Sequence, residues 1–355
     1  MNRREFIAGG ASLAALGAMP VFGAEEDPRL TATKKWFVEA QYGMMAHWGL
    51  YSLLGGEWKG QVMKKPYHIA EWVQQYFRIP NAEYAKLAKA FNPICFNADE
   101  WVQIARDAGM KYIVLTSKHH DGFALFRSKV SSFNIVDATP FGRDPIEELA
   151  EACRKHGLKL GLYYSQDLDW HEKDGGGEQK GKTWGGGTAY WTNNWDFPRP
   201  EEKDFSRYFE GKAKPQVKEI LTQYGDLCLI WFDVPMTLSR VQALAFRDLV
   251  RKYQPGCLIS GRIGHGLGDY FTPGDNEIAG KTVEGQLYET VGTMNDSWGY
   301  RPTDTNYKSV EKILEIRAKC RSIGSNYMLN VGPDPLGRFP VAAIKTLDEL
   351  NGDRP

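Results

Sequence analysis

The chain has 355 residues, 42% hydrophobic and 25% charged, with 44 basic side chains balanced by 44 acidic ones. That is enough apolar material for one large core or two medium ones, and the lack of a basic excess argues against nucleic acid or an anionic membrane surface as the main partner. Eleven Trp, seventeen Tyr and seventeen Phe supply flat faces with polar edges, which suit stacking on sugar rings as well as filling a core.

Residues 1–24 read as a leader and not as part of the fold: Arg3-Arg4, Phe6, an apolar run to Met19, then small residues near Gly23 and Ala24. The paired arginines resemble a twin-arginine signal, so an exported, periplasmic or secreted protein is expected. The run is too short and too rich in Gly and Ala to span a bilayer well. Cys95, Cys153, Cys228, Cys257 and Cys320 form no Cys-x-x-Cys and lie mostly in apolar runs. They read as core filler.

Tyr42–Trp48 is the first strand candidate, followed by a glycine-rich loop, 49–68, that carries Glu57 and Trp58. Helices are expected at Ala70–Phe77, Ala82–Phe91 and Ala98–Ala108, the last with Asn97 as N-cap and Glu100 behind it. Tyr112–Ser117, apolar and β-branched, then ends abruptly in Lys118, His119, His120, Asp121 and Gly122. A buried strand that stops in titratable side chains is how a parallel α/β enzyme presents chemistry at the carboxyl edge of its sheet. Asp144, Pro145 and Glu147 start a helix that Gly157 ends.

Strand Lys159–Tyr164 opens onto a long Trp-rich loop, 165–204, expected to act either as a simple packing lid or as a wall for further subsites. A helix to Tyr224, strand Leu227–Phe232, helix Leu238–Tyr253 and strand Cys257–Ser260 follow. Short strands near Asp269–Phe271 and Tyr288–Thr293, helix Val310–Ile323, strand Tyr327–Val331 and a helical run from Val341 complete the series. Eight strands with helices between most of them predict one α/β domain, a (β/α)8 TIM-like barrel over residues 25–355. A doubly wound sheet would want a glycine fingerprint after the first strand, and His47-Trp48-Gly49-Leu50-Tyr51-Ser52 is not one.

Reading only the strand ends collects His47, His119, His120, Tyr163, Asp233, Arg262, a run of carboxylates from Asp275 to Glu289, and Trp298. No nucleophilic Ser or Cys stands in a recognisable setting, and no glycine loop precedes a phosphate-binding lysine; a glycosidase built on these carboxylates would need no cofactor. Asp233 ends an otherwise apolar strand, where a carboxylate is costly unless bonded or used. It reads as one of the two carboxylates of a glycosidase. Two other readings stay open: a metal-dependent hydrolase drawing on His47, His119, His120 and Asp233, and a non-catalytic sugar-binding barrel. Against the first, adjacent histidines point to opposite faces of a regular strand unless the backbone turns.

Taken together, the motifs resemble the α-L-fucosidases of glycoside hydrolase family 29. They are YGMMAHWGLYS (42–52), GEW (56–58), KYIVLTSKHHDGF (111–123), SSFN (131–134), GLKLGLYYS (157–165), LIWFD (229–233), MNDSWGY (294–300) and SNYMLNVGPDPLGRFP (325–340). The resemblance implies a barrel that removes terminal α-L-fucose from glycans by retaining double displacement. It implies Asp233 as nucleophile, and His47, Glu57, Trp58, His119, His120, Tyr163 and Arg262 around the sugar. Trp298 would lie near its methyl group. For the acid/base it implies Glu289, in Tyr288-Glu289, with Glu277 as the alternative and Glu284 or Asp275 behind them; Gly274 stands where part of the family has a glutamate. Members often carry a β-sandwich after the barrel, and no complete one is expected here. The expected partner is a fucosylated oligosaccharide or glycoconjugate, with no nucleic acid and no membrane; linkage and oligomeric state are open.

Overall fold

The computed structural model describes residues 26–65, 69–178 and 191–351. The expected leader and Trp184 lie outside the described residues. Eight parallel strands form the sheet: β1 (Tyr42–Ala46), β2 (Tyr112–Lys118), β3 (Lys159–Tyr164), β4 (Leu229–Phe232), β5 (Leu258–Ile259), β6 (Tyr270–Phe271), β7 (Leu287–Thr293) and β8 (Ser325–Val331). Each pairs with its sequence neighbours and β8 pairs with β1, in the register Tyr42 to Tyr327. Between β5 and β6 a single parallel bridge, Ser260 to Tyr270, completes the ring. The result is a nearly closed (β/α)8 barrel.

Helices α2 (Ala98–Asp107), α3 (Pro145–His156), α4 (Lys214–Gln223), α5 (Arg240–Tyr253), α6 (Val310–Ser322) and α7 (Val341–Asn351) follow α1 (Pro28–Ala40) in chain order. Local chemistry sets their starts. Asn97 accepts the amide of Glu100, Asp144 those of Ile146 and Glu147, and Ser239 and Gln242 make a reciprocal capping box. The expected helix at 82–91 is instead one α turn, Asn81–Tyr84, followed by 3₁₀ backbone over Ala85–Ala90. Among the described residues no α-helix separates β5 from β6, which a 3₁₀ turn at Gly261–Ile263 joins, or β6 from β7, so the barrel is TIM-like and not a regular one.

Each strand alternates between two cores. On β2, Ile113 and Leu115 pack outward against the helices, while Tyr112 and Val114 fill the barrel with Met45, Leu229, Val291 and Met328. Helix α1, which the sequence reading passed over, plugs the amino-terminal mouth: Phe37 lies 5.0 Å from the Tyr270 ring. Gly43 on β1 is required there, because a Cβ would sit 2.4 Å from the Tyr112 ring. That gap lets Tyr112 cross the interior. Four cysteines are buried as expected, whereas Cys95 is exposed; all five are free.

Candidate active site

A cavity of about 500 Å³ opens at the carboxyl ends of the strands. His47 follows β1, His119 and His120 follow β2, Asp233 follows β4, Arg262 and Asp275 lie beyond β5 and β6, and Trp298 lies beyond β7; all seven line it. Both histidines of the His-His pair reach the cavity because β2 ends at Lys118 and the backbone turns through Gly122, at φ 77°. Their ring centroids are 4.1 Å apart. A side chain at Gly122 would meet Asp169 Oδ1 at 2.2 Å, so the turn admits only glycine.

The imidazoles are neutral. Burial pushes His47 down to about 4 and carries His119 and His120 well below the usual histidine range. Hydrogen bonds then set which nitrogen faces the cavity. His47 Nδ1 lies 2.7 Å from Asn330 Oδ1, which can only accept, so that nitrogen carries the proton. Ser165 donates its hydroxyl to the carbonyl of Leu168, so its oxygen takes the proton of His120 Nδ1 at 2.7 Å. His120 Nε2 is left as an acceptor, 3.9 Å from Asp233 Oδ2.

Asp233 is 8% exposed and held from two sides. Tyr163 donates to Oδ2 at 2.9 Å and Arg262 Nη1 to Oδ1 at 3.0 Å. Burial raises its pKa, and the Arg262 charge opposes that rise. The other terminal nitrogen, Nη2, holds Asp275 Oδ1 at 2.5 Å. Arg262 itself lies over the Trp231 ring, 4.8 Å from its centroid. One guanidinium thus bridges two cavity carboxylates.

Several expected positions fall elsewhere. Tyr163 is fully buried beneath the site, stacked between His119 and Trp231, and acts through Asp233 without lining the cavity. Glu57 and Trp58 belong to a two-residue-per-strand hairpin with Gln61 and Val62 that does not line the cavity. A second Glu-Trp pair takes that place: Glu71 and Trp72 line it, with Glu71 accepting the Gly299 amide at 2.9 Å. Burial pushes Glu71 up to about 8. The repeated dipeptide was the signal, and of its two copies the structure brings the one at 71–72 to the cavity.

Glu289, expected as the acid/base, likewise stands off the cavity. It lies in the amino-terminal half of β7, fully buried in the barrel, and lines no part of the cavity. Its oxygens accept from Tyr112 Oη and Trp231 Nε1, each at 2.8 Å. Glu277 and Glu284 are exposed and also stand off the cavity. Of the Trp-rich loop, Trp170 is buried against Trp72 and His120, and Trp191 lines the cavity wall. Among the described residues no three His, Cys, Asp or Glu side chains converge as a metal site.

Residues 23–352 match the sequence profile described as Alpha-L-fucosidase. Bovine tissue alpha-L-fucosidase is 30% identical over 344 residues, which cover 90% of this chain and 68% of that protein. A putative alpha-L-fucosidase of Caenorhabditis elegans is 28% identical, and the chain spans 64% of its length. Alpha-L-fucosidase AlfC from Lactobacillus casei, solved with its α-L-fucose product, superposes with a TM-score of 0.84 at 51% identity, covering 90% of this chain and 97% of that one. A substituted form of AlfC has been solved with Fucα(1,6)GlcNAc.

Proposed function

We propose, from the premise that the chain belongs to the alpha-L-fucosidase family, that it hydrolyses terminal α-L-fucose from glycans through a covalent fucosyl-enzyme. Asp233 is the nucleophile and Asp275 the acid/base. The observation that carries this reading is the Arg262 bridge, 3.0 Å to Asp233 and 2.5 Å to Asp275.

Two carboxylates facing one guanidinium are most cheaply held with a single negative charge between them. The reaction requires that charge on Asp233 and a proton on Asp275 when the sugar is attacked. Attack of Asp233 on the anomeric carbon breaks the bond to the leaving oxygen, which takes the Asp275 proton. Asp233 is then an uncharged ester and Asp275 the carboxylate. Arg262 faces one negative charge before and after, so the step separates no new charge from its counterion. Asp275 next removes a proton from water as the water displaces Asp233, which restores the start. A shared guanidinium is compatible with the roughly 5 Å spacing that retaining enzymes use.

Neutral imidazoles support binding in this scheme. They donate to or accept from sugar hydroxyls without adding a positive charge that would compete with Arg262 for Asp233. Glu71, protonated at neutral pH by burial, adds a donor, and Trp298 and Trp72 add apolar walls suited to a 6-deoxy sugar. The twin-arginine-like leader at Arg3-Arg4 supports export.

The test is Asp233→Gly against nitrophenyl α-L-fucoside. Turnover should fall by roughly three orders of magnitude or more, and azide should restore it as the inverted β-fucosyl azide. Wild-type product followed by NMR should appear first as α-fucose. Activity within tenfold of wild type for the variant, or β-fucose as first product, would sink the assignment.

A further inference from the structure

Gln166 and Asp167 lie just past β3, are both fully enclosed, and line no part of the cavity. Gln166 Oε1 accepts the backbone amide of Asp233 at 2.8 Å, and its Nε2 donates to the backbone carbonyl of Arg262 at 3.0 Å. A single planar amide therefore ties the main chain of the nucleophile to that of the arginine holding its carboxylate. Both ends of the amide are used.

The residue after the nucleophile, Val234, has φ 48°. A β-branched side chain in the left-handed region is an outlier that persists only when its surroundings impose it. Asp167 imposes it from the far side. Its Oδ2 accepts the amides of Met236, Thr237 and Leu238 at 2.9, 2.7 and 2.7 Å, and Oδ1 accepts that of Gly177 at 2.9 Å. The chain is thus pinned at 233 by Gln166 and at 236–238 by Asp167, with the strained residue between. Val234 also lines the cavity, so relaxing it would move the wall beside Asp233.

We propose that Gln166 is a positioning residue that fixes Asp233 relative to Arg262, with Asp167 locking the turn that follows. It rests on the reading of Asp233 as nucleophile. The chemistry asks for glutamine specifically: asparagine is one methylene short, and glutamate keeps the acceptor for Asp233 but loses the donor to Arg262. A misplacement of the attacking oxygen by a fraction of an ångström affects the transition state far more than sugar binding.

The test uses Gln166→Met, which removes both hydrogen bonds at similar volume, and Gln166→Glu, which removes one and carries the test alone if the first fails to fold. A fluorinated fucosyl fluoride is the probe. Asp233 forms its carbon–oxygen bond as the carbon–fluorine bond breaks and fluoride leaves, and mass spectrometry follows the ester. The expected result is labelling slowed by about thirtyfold or more in Gln166→Met, and by less in Gln166→Glu, while the inhibition constant of free L-fucose stays within threefold of wild type. Labelling within threefold of wild type would overturn the proposal. So would a rise in the fucose inhibition constant that matches the loss of rate, since that marks general damage to the pocket. Should wild-type ester form at a residue other than Asp233, the nucleophile assignment fails first, a result the Gln166 variants cannot mimic.

Discussion

Exchanging Asp275 and Glu289 by mutation separates two carboxylates that sequence alone ranks in the opposite order. The Asp275 side chain keeps 45% exposure beside the cavity, so its proton can reach a leaving oxygen. Glu289 is sealed under Trp231. Removing a general acid costs about 10²–10⁴-fold for a leaving group that needs a proton. Asp275→Ala should therefore lose that factor on a fucosyl disaccharide and far less on nitrophenyl α-L-fucoside, whose leaving group departs as the anion. Azide should accelerate Asp275→Ala on the aryl substrate and yield the retained α-fucosyl azide, because azide attacks the ester without a base. Glu289→Leu removes the acceptor of both Tyr112 and Trp231, whose bonds to it are each 2.8 Å, and an unpaired buried donor costs about 1–3 kcal/mol of stability. It should unfold at lower urea and show no azide rescue. Rescue in a Glu289 variant together with none in Asp275→Ala would refute the reasoning.

Arg262→Lys should lower kcat/KM by about a hundredfold, since an ammonium is a point charge and cannot bridge two carboxylates as a guanidinium fork does; kinetics on the aryl fucoside, with circular dichroism to confirm folding, measure this. Glu71 keeps its proton to about pH 8 when folded, against 4.5 when exposed. The stability it contributes is full below the lower value and is lost as pH rises through the upper one, at up to about 1.4 kcal/mol per pH unit. Urea titrations of wild type and Glu71→Gln should diverge in favour of the variant across that window, and parallel curves would exclude it. Lys118, fully buried, holds Asp169 Oδ2 at 3.0 Å together with Lys212 at 3.0 Å. Burial lowers the lysine to about 8, and the two ammonium groups hold Asp169 down to about 2, so the cluster is charged at neutral pH. Lys118→Met should cost about 3–5 kcal/mol by urea unfolding, and a loss under 1 kcal/mol would show the cluster to be dispensable.

Local sequence alone placed the strand ends that surround the cavity. An apolar run that stops at His47, at His119-His120 or at Asp233 says where a buried strand must surface, because a titratable group cannot follow inside without a partner. The caps at Asn97 and Asp144 are legible too, being contacts within four residues. Helix α1 was not legible, since its polar sequence shows no strong stripe and its role is to close the barrel mouth.

Depth and partnership belong to the tertiary structure. Glu289 and Asp275 are both carboxylates near a strand, but β7 begins at Leu287, which sinks Glu289 in the barrel, while Asp275 lies beyond β6 on the open side. The Glu-Trp pairs at 57–58 and 71–72 are alike as text, and only the path of the loop after β1 brings Glu71 and Trp72 to the sugar cavity. The bridge of Arg262 between Asp233 and Asp275, and the hold of Gln166 on both main chains, join residues from separate strands. Periodicity and capping act over a few neighbours, and no such rule reaches across 29 residues to pair Arg262 with Asp233; closure of the barrel does.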